Sequence, residues 1–206
     1  MKVLVIQVKI GDGAFSMPGY EKAHLDFKKY LVPSVKRYCD KYEYDYMEIT
    51  DYPKDIDVKW FTTDRFYPPR NIASAIIRYH YMHNENYDVV VSLDNDVYIT
   101  PHAEPLPNVI GHMAVNDINM DKKRARYDAL NRFLNRIDTS KVGVINSGVQ
   151  MVDSEVGLMI KKFMDMVCEK KLHPLEGYYC EQNYINYFRS KFPDKCNLLD
   201  AKWNYM

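Results

Sequence analysis

The stretch YDVVVSLDNDVYIT, residues 87–100, decides the reading of this chain. Val89, Val90 and Val91 lead through Ser92 to Leu93, a short run led by β-branched residues of the kind that forms a strand buried on both faces. The apolar run stops at Asp94-Asn95-Asp96, where two carboxylates stand one residue apart. If the chain has begun to turn there, both can reach one small volume. Mg²⁺ and Mn²⁺ prefer oxygen ligands and commonly take one or two protein carboxylates, completing their shell with phosphate and water. The same residues also suit an Asx turn with both carboxylates solvated. The motif alone does not choose between these readings.

Upstream, Asn71 can cap a helix whose apolar side is Ile72, Ile76, Tyr79 and Met82, and Arg78 lies on that helix. Residues 2–8 form another β-branched run, ending at the turn Gly11-Asp12-Gly13. Phe27, Leu31, Val35 and Tyr38 recur at helical spacing over 21–41, with Pro33 expected to kink the helix or mark its restart. Residues 43–49 read as a second strand. Residues 50–70 carry Pro53, Pro68 and Pro69 and read as a long loop over a site. Its Trp60, Phe61, Phe66 and Tyr67 either wall a binding groove or pack into the core.

Downstream, residues 112–115 suggest a short strand and 121–136 a charged helix. VGVINSGVQMV, residues 142–152, reads as a strand with a small, polar centre. Asp153 or Ser154 caps a helix through about Lys171, and another covers about 178–191. Strands alternating with helices indicate one α/β domain over residues 1–206 with a mostly parallel central sheet flanked by helices. Ligands of open α/β sheets bind beyond the carboxyl ends of the strands. Gly11, Asp94 and Asn146 all fall near such ends or at breaks in strands.

The layout from Arg78 to Thr100, a basic residue on a helix, a buried strand, then L-D-x-D-V-Y-I, resembles the DXD region of GT-A glycosyltransferases, especially retaining families 8 and 34. Tyr38-Cys39-Asp40, with Tyr44-Asp45-Tyr46 after it, is similar to the helix and strand that precede that region in those families. Ile145-Asn146-Ser147-Gly148-Val149 resembles their N-[AS]-G-v segment, where small residues let the donor sugar lie against backbone and the Asn bonds hydroxyls. A β-bulge would use the same residues. Tyr179-Cys180-Glu181-Gln182-Asn183 resembles their D-Q-[DA] segment, with Glu181 where Asp is usual; a polar helical face is the ordinary alternative. Lys202-Trp203-Asn204 resembles their closing r-W-N. Size and general pattern also resemble the small glycosyltransferase domains of chlorella-virus capsid-glycan proteins.

The resemblance implies a Rossmann-like GT-A fold and transfer of a sugar from a nucleotide-sugar donor, a UDP-sugar, to a glycan acceptor with retention. It implies Mn²⁺ or Mg²⁺ on Asp94 and Asp96, with Asp94, Asn95, Asn146, Ser147 and Gly148 at the donor. Arg70 or Arg78 would add fixed positive charge near the diphosphate, and Lys9 would contact the nucleotide; surface pairing and solvation are the competing roles. Glu181 and Gln182 would lie beside the anomeric carbon. Gln is a poor nucleophile, so same-face attack is preferred, with the leaving phosphate accepting the acceptor's proton; Glu181 serves as nucleophile only if it lies against that carbon. The families also supply a His ligand downstream of the W-N segment, and no His follows His173 here. Water, another group or residues beyond Met206 would complete the shell; His80, His83, His102 and His112 are the alternatives, each more readily read as a surface or packing residue.

Composition is consistent with this reading. Lys plus Arg equals Asp plus Glu at 28 each, so no net field draws the chain to nucleic acid or an anionic membrane. No stretch is long and apolar enough to span a bilayer, and the N-terminal run is too short for a signal peptide. Cys39, Cys168, Cys180 and Cys196 show no zinc-ligand spacing and read as free thiols in a reducing compartment, so a soluble cytoplasmic protein is expected. Three other readings compete. A non-catalytic GT-A-like module binding sugar or a partner is favoured by the missing His. A sugar nucleotidyltransferase would need a Gly-rich, basic loop after the first strand, and IGDGAF has little of that character. A metal-dependent phosphatase or nuclease would need further carboxylates converging on Asp94 and Asp96.

Overall fold

The computed structural model describes residues 1–10, 27–54, 76–117, 137–170 and 180–204, excluding the side chains of Phe27, Cys180, Glu181 and Asn204. Its centre is a six-stranded sheet. The strands are β1 (Val3–Val8), β2 (Asp45–Ile49), β3 (Val89–Leu93), β4 (His112–Asn116), β5 (Ile145–Asp153) and β6 (Cys196–Leu199), in the spatial order β2-β1-β3-β5-β4-β6. β1 pairs in parallel with both β2 and β3, and β4 with β6. β5 runs antiparallel to both its neighbours, β3 and β4. The mostly parallel sheet is therefore as expected, with one reversed strand near its middle.

β1 and β3 are buried along their whole length, which is why their sequences show no polar alternation. Their side chains still divide by parity. Leu4, Ile6, Val8 and Val90 face one core, with Ile76, Ile77, Val152, Ile160 and Phe188. Val3, Val5, Val89 and Val91 face the other, with Val35, Tyr38, Ile99, Leu106 and Trp203. Both faces of the sheet are thus covered, as a parallel sheet requires.

Helix α1 (Val32–Tyr42) follows five π-helical residues, Phe27–Leu31, and Pro33 sits in its first turn. The expected restart at Pro33 is what the chain does, because proline needs no amide partner there. Glu43 ends the helix in the left-handed region, and the Tyr44 amide closes back on the Cys39 carbonyl at 2.9 Å. Residues 76–80 are helical and lead toward β3. Helix α2 (Ser154–Glu169) is capped by Asp153, whose carboxylate accepts from the Val156 amide at 2.9 Å. Helix α3 is Cys180–Lys191. The expected strands at 43–49 and 142–152 are shorter or shifted, at Asp45–Ile49 and Ile145–Asp153. β6 was not anticipated. The charged helix at 121–136 and most of the loop at 50–70 lie outside the described residues.

Candidate active site

β5 controls the geometry. Because it runs against β3 and β4, its first residues lie beside the last residues of both. Leu93 is opposite Val149 and Asn116 opposite Ile145. The pairing continues past β3, where the Asp94 amide donates to the Gly148 carbonyl at 2.8 Å. Past β4, the Asp117 amide donates to the Val144 carbonyl at 2.8 Å. The Asp94-Asn95-Asp96 turn and the Asn146-Ser147-Gly148 segment are thereby neighbours at the carboxyl edge of the parallel strands.

Arg78 joins the two segments. Its Nη2 pairs with Asp94 Oδ1 at 2.5 Å, and its Nη1 donates to the Ser147 carbonyl at 2.9 Å. The Arg78 side chain is only 11% exposed and that of Asp94 32%, so the pair lies at the boundary between core and solvent. Gln7, fully buried in β1, donates its amide to the Asp94 carbonyl at 3.1 Å and accepts from the Tyr46 hydroxyl at 3.1 Å. Asn95 turns inward and donates to the Val8 carbonyl at 2.9 Å, while its Oδ1 is buried without a partner. The turn is therefore tied to β1 as well as to β5, and this is more than an isolated Asx turn would need.

Asp96 projects outward and is exposed as a residue. Its carboxyl is held above the usual carboxylate range by partial burial and by the Asp94 charge beside it, with Arg78 acting in the opposite direction. A pair of like charges at the mouth of a site is the electrostatic setting that a divalent cation relieves. Among the described residues no group of three or more His, Cys, Asp and Glu gathers as a metal cage. The donor set fits an ion that keeps phosphate and water in its shell and does not fit a closed protein site. His112 is fully buried, His80 bonds Asp165 and His83 bonds the Ser154 carbonyl, so none of these three faces the turn.

Gly148 is the tightest point of the site. A Cβ there would lie 2.9 Å from Asn146 Oδ1 and 3.3 Å from Asp94 Oδ2. Asn146 Oδ1 accepts from the Gly148 amide at 2.7 Å, which leaves that side chain's NH₂ as its outward donor. Gln182, in the first turn of α3, reaches the same edge from the β4 side. Its amide donates to Asp117 Oδ2 at 3.2 Å and to the Ile145 carbonyl, and the residue is 4% exposed. Asn186 braces this corner, accepting from the Ile145 amide at 3.0 Å and donating to the Gln182 carbonyl at 2.8 Å. Glu181 lies in the same first turn, its side chain outside the described residues. Lys9 directly follows β1 at this edge, its amide bonded to the Ile49 carbonyl at 2.8 Å. Arg70 lies outside the described residues.

The structure thus brings Arg78, Asp94, Asn95, Asp96, Asn146, Ser147, Gly148 and the Gln182 corner to one edge. Sequence reasoning missed Gln7 and Asp117. Gln7 had a signal, a polar residue inside the apolar run VLVIQV that must find a buried partner. Asp117 also had one, since like Asp94 it directly follows a strand.

A mostly parallel sheet with one antiparallel strand beside its D-x-D edge is the GT-A fold. Solved structures share that fold along nearly the whole chain. One is a glycosyltransferase involved in glycosylation of the major capsid of PBCV-1, at 12% identity and TM-score 0.56, with 98% of this chain and 83% of that one aligned. Another is the galactosyltransferase LgtC with donor and acceptor sugar analogs, at 12% identity and TM-score 0.57, covering 97% and 74%. A third is the bifunctional glycosyltransferase WbbM, at 17% identity and TM-score 0.57, covering 98% of this chain and 39% of that one. No family model and no curated protein matches the sequence.

Proposed function

We propose that the chain is a metal-dependent glycosyltransferase, transferring a sugar with retention from a UDP-sugar donor to a glycan acceptor. The carrying observation is the junction of Asp94, Arg78 and the Ser147-Gly148 backbone. It places a carboxylate, a fixed cation and a closely packed glycine at one strand edge, with the Asp96 carboxylate close enough to feel the Asp94 charge. Breaking the bond to a nucleoside diphosphate develops negative charge on phosphate and positive charge at the anomeric carbon. Mn²⁺ or Mg²⁺, held by Asp94 and Asp96, would supply Lewis-acid stabilisation of the diphosphate. Arg78 holds Asp94 in place and adds a nearly buried positive charge that needs no reorganisation as the reaction proceeds.

Gly148 lets Asn146 and Asp94 close over β5 without a methyl between them, and the NH₂ of Asn146 can donate to the hydroxyls of a donor sugar. Gln182 is oriented by Asp117 and the Ile145 carbonyl. A neighbour of the same fold, at 13% identity and TM-score 0.57, was solved as an active-site mutant with glutamine changed to glutamate, which supports a site role for a glutamine on this fold. With both Gln182 donors engaged, same-face attack with proton transfer to the leaving phosphate remains the preferred route, and the role of Gln182 is to shape the sugar-facing corner. The three described cysteines, Cys39, Cys168 and Cys196, are free and buried, which supports a reducing, cytoplasmic setting. Among the described residues no helix is long and apolar enough to cross a membrane.

A thermal-shift panel of nucleotide sugars with and without Mn²⁺ tests the proposal, because a ligand of the native state raises its stability. A UDP-sugar should raise Tm only with metal, and Asp96→Ala should remove the shift. A panel with no shift rejects the assignment. Stabilisation without release of UDP favours the binding-module alternative.

A further inference from the structure

A second set of buried polar groups lies behind the site and ends on it. Arg189 of α3, His112 of β4, Gln150 of β5 and Tyr79 are each wholly without exposure, at 0%. Arg189 Nη1 approaches His112 Nδ1 at 2.9 Å. A guanidinium can only donate, so Nδ1 must be the acceptor and Nε2 must carry the imidazole proton. His112 Nε2 then donates to Gln150 Oε1 at 3.0 Å. The Gln150 amide is thereby oriented with its Nε2 toward the Ser147 carbonyl, at 3.0 Å, and the Tyr79 hydroxyl, at 3.3 Å. The Ser147 carbonyl is the same oxygen that accepts from Arg78 Nη1. Every donor in the series points the same way, from Arg189 toward the site.

Arg189 fixes the far end. It also donates to the carbonyls of His112, Val142 and Asn197 at 3.2, 2.8 and 3.1 Å, tying β4 and β6 to the segment before β5. A buried cation, an imidazole and two amide ends are expensive in a core that could have been packed with aliphatic residues. What this arrangement supplies is a fixed direction for one carbonyl oxygen.

We propose that Gln150 is a positioning residue for the Arg78–Asp94 pair. It holds the Ser147 carbonyl where it accepts Arg78 Nη1, leaving Nη2 for Asp94, and it is itself held by His112 and Arg189. This rests on the glycosyltransferase reading only for its functional consequence. Spatial continuity alone does not demonstrate coupling, so the test must measure coupling.

The test is a double-mutant cycle on Gln150→Met and Arg78→Lys, with Mn²⁺ plus UDP as probe in titration calorimetry. Gln150→Met is close in shape and removes both ends of the amide. It should weaken binding about 10-fold, and adding it to Arg78→Lys should cost little more than Arg78→Lys alone. Additive losses, or no loss from Gln150→Met, overturn the proposal. Where Gln150→Met does not fold, the wild-type protein decides by ¹⁵N NMR of His112. A neutral ring protonated at Nε2 is expected, and an Nδ1-protonated ring breaks the donor series and overturns it. If wild-type protein binds no Mn²⁺–UDP, the proposed function fails and the network is judged separately. A crystal structure of Gln150→Met should then show the bond from Arg78 Nη1 to the Ser147 carbonyl broken, and its retention overturns the proposal.

Discussion

Two glycines separate a steric role at the site from one in the core. At Gly148 an added methyl would meet Asn146 Oδ1 at 2.9 Å, the free end of a side chain, and Asp94 Oδ2 at 3.3 Å. Asn146 can rotate away, giving up its 2.7 Å bond from the Gly148 amide. Losing one such bond costs about 1 kcal/mol, and residual crowding adds up to about 1 kcal/mol. Gly148→Ala should therefore lower stability by ~1–2 kcal/mol, or Tm by ~2–8 °C for a chain of this size. At Gly157, in α2, the methyl would lie 2.2 Å from the backbone carbonyl of Met82, which cannot rotate aside. The helix must lift, at ~3 kcal/mol, so Gly157→Ala should lower Tm by ~6–12 °C. Activity should rank the other way. UDP release from the donor, measured per folded molecule well below both melting points, should fall at least about 10-fold in Gly148→Ala, because the methyl displaces Asn146 and crowds Asp94, the groups proposed to hold the donor. Gly157→Ala should stay within about two-fold. Wild-type kcat/KM in Gly148→Ala would refute the claim that Asn146 and Asp94, packed over Gly148, position the donor.

Other perturbations follow from the same contacts. Asp153 caps α2 through Val156 and also accepts from the Gly111 amide at 2.5 Å, so Asp153→Ala should lower the urea-unfolding free energy by ~1–3 kcal/mol with little change in activity. Gln182→Glu would set a second carboxylate where an amide now meets Asp117 Oδ2 at 3.2 Å. Two like charges raise the folded pKa, so this variant should lose ~1–2 kcal/mol more against wild type at pH 7 than at pH 5, read from urea midpoints; equal losses would count against the contact. His112 is pushed down to about 3 by burial and by Arg189, with the Gln150 bond opposing. Arg189, lowered to about 10 by burial, and Cys196, raised to about 11 by burial, keep their neutral-pH charge states, so His112 is the group that titrates in this cluster. Its folded pKa lies below the unfolded value near 6.5, so its contribution is complete above pH 6.5 and falls away toward pH 3, amounting to a loss of ~2 kcal/mol at pH 5. His112→Gln should flatten stability between pH 7.5 and 5, and an unchanged slope would show that the imidazole is not held neutral.

The parts of this fold visible in sequence are those where one physical demand dominates. β1 and β3 are buried on both faces, and a short, mostly apolar run rich in Val and Ile is what satisfies that. Pro33 and Asp153 mark helix starts because the orphan amides there need either no partner or a carboxylate. β6 escaped notice because its four residues follow an exposed-edge pattern, with Asn197 and Leu198 open to solvent. The direction of β5 was equally hidden: alternation predicts a strand and says nothing of which way it runs.

The site divides along the same line. Asp94 and Asp96 stand out because two carboxylates close an apolar run, and it is their context that sets them apart from an ordinary Asx turn. Their supports do not, since Gln7, His112, Gln150 and Arg189 look like ordinary polar residues until the fold shows them with no exposure. A polar side chain inside an otherwise apolar strand is nonetheless informative, because a buried amide without partners costs on the order of 1–3 kcal/mol and must be answered somewhere. Gln7 is answered at the Asp94 carbonyl and Gln150 at the Ser147 carbonyl. Both answers lie at the backbone of the same edge, one beneath the carboxylate turn and one beneath the glycine strand. Those two strand glutamines therefore brace from within the sheet the same edge that the D-x-D motif marks.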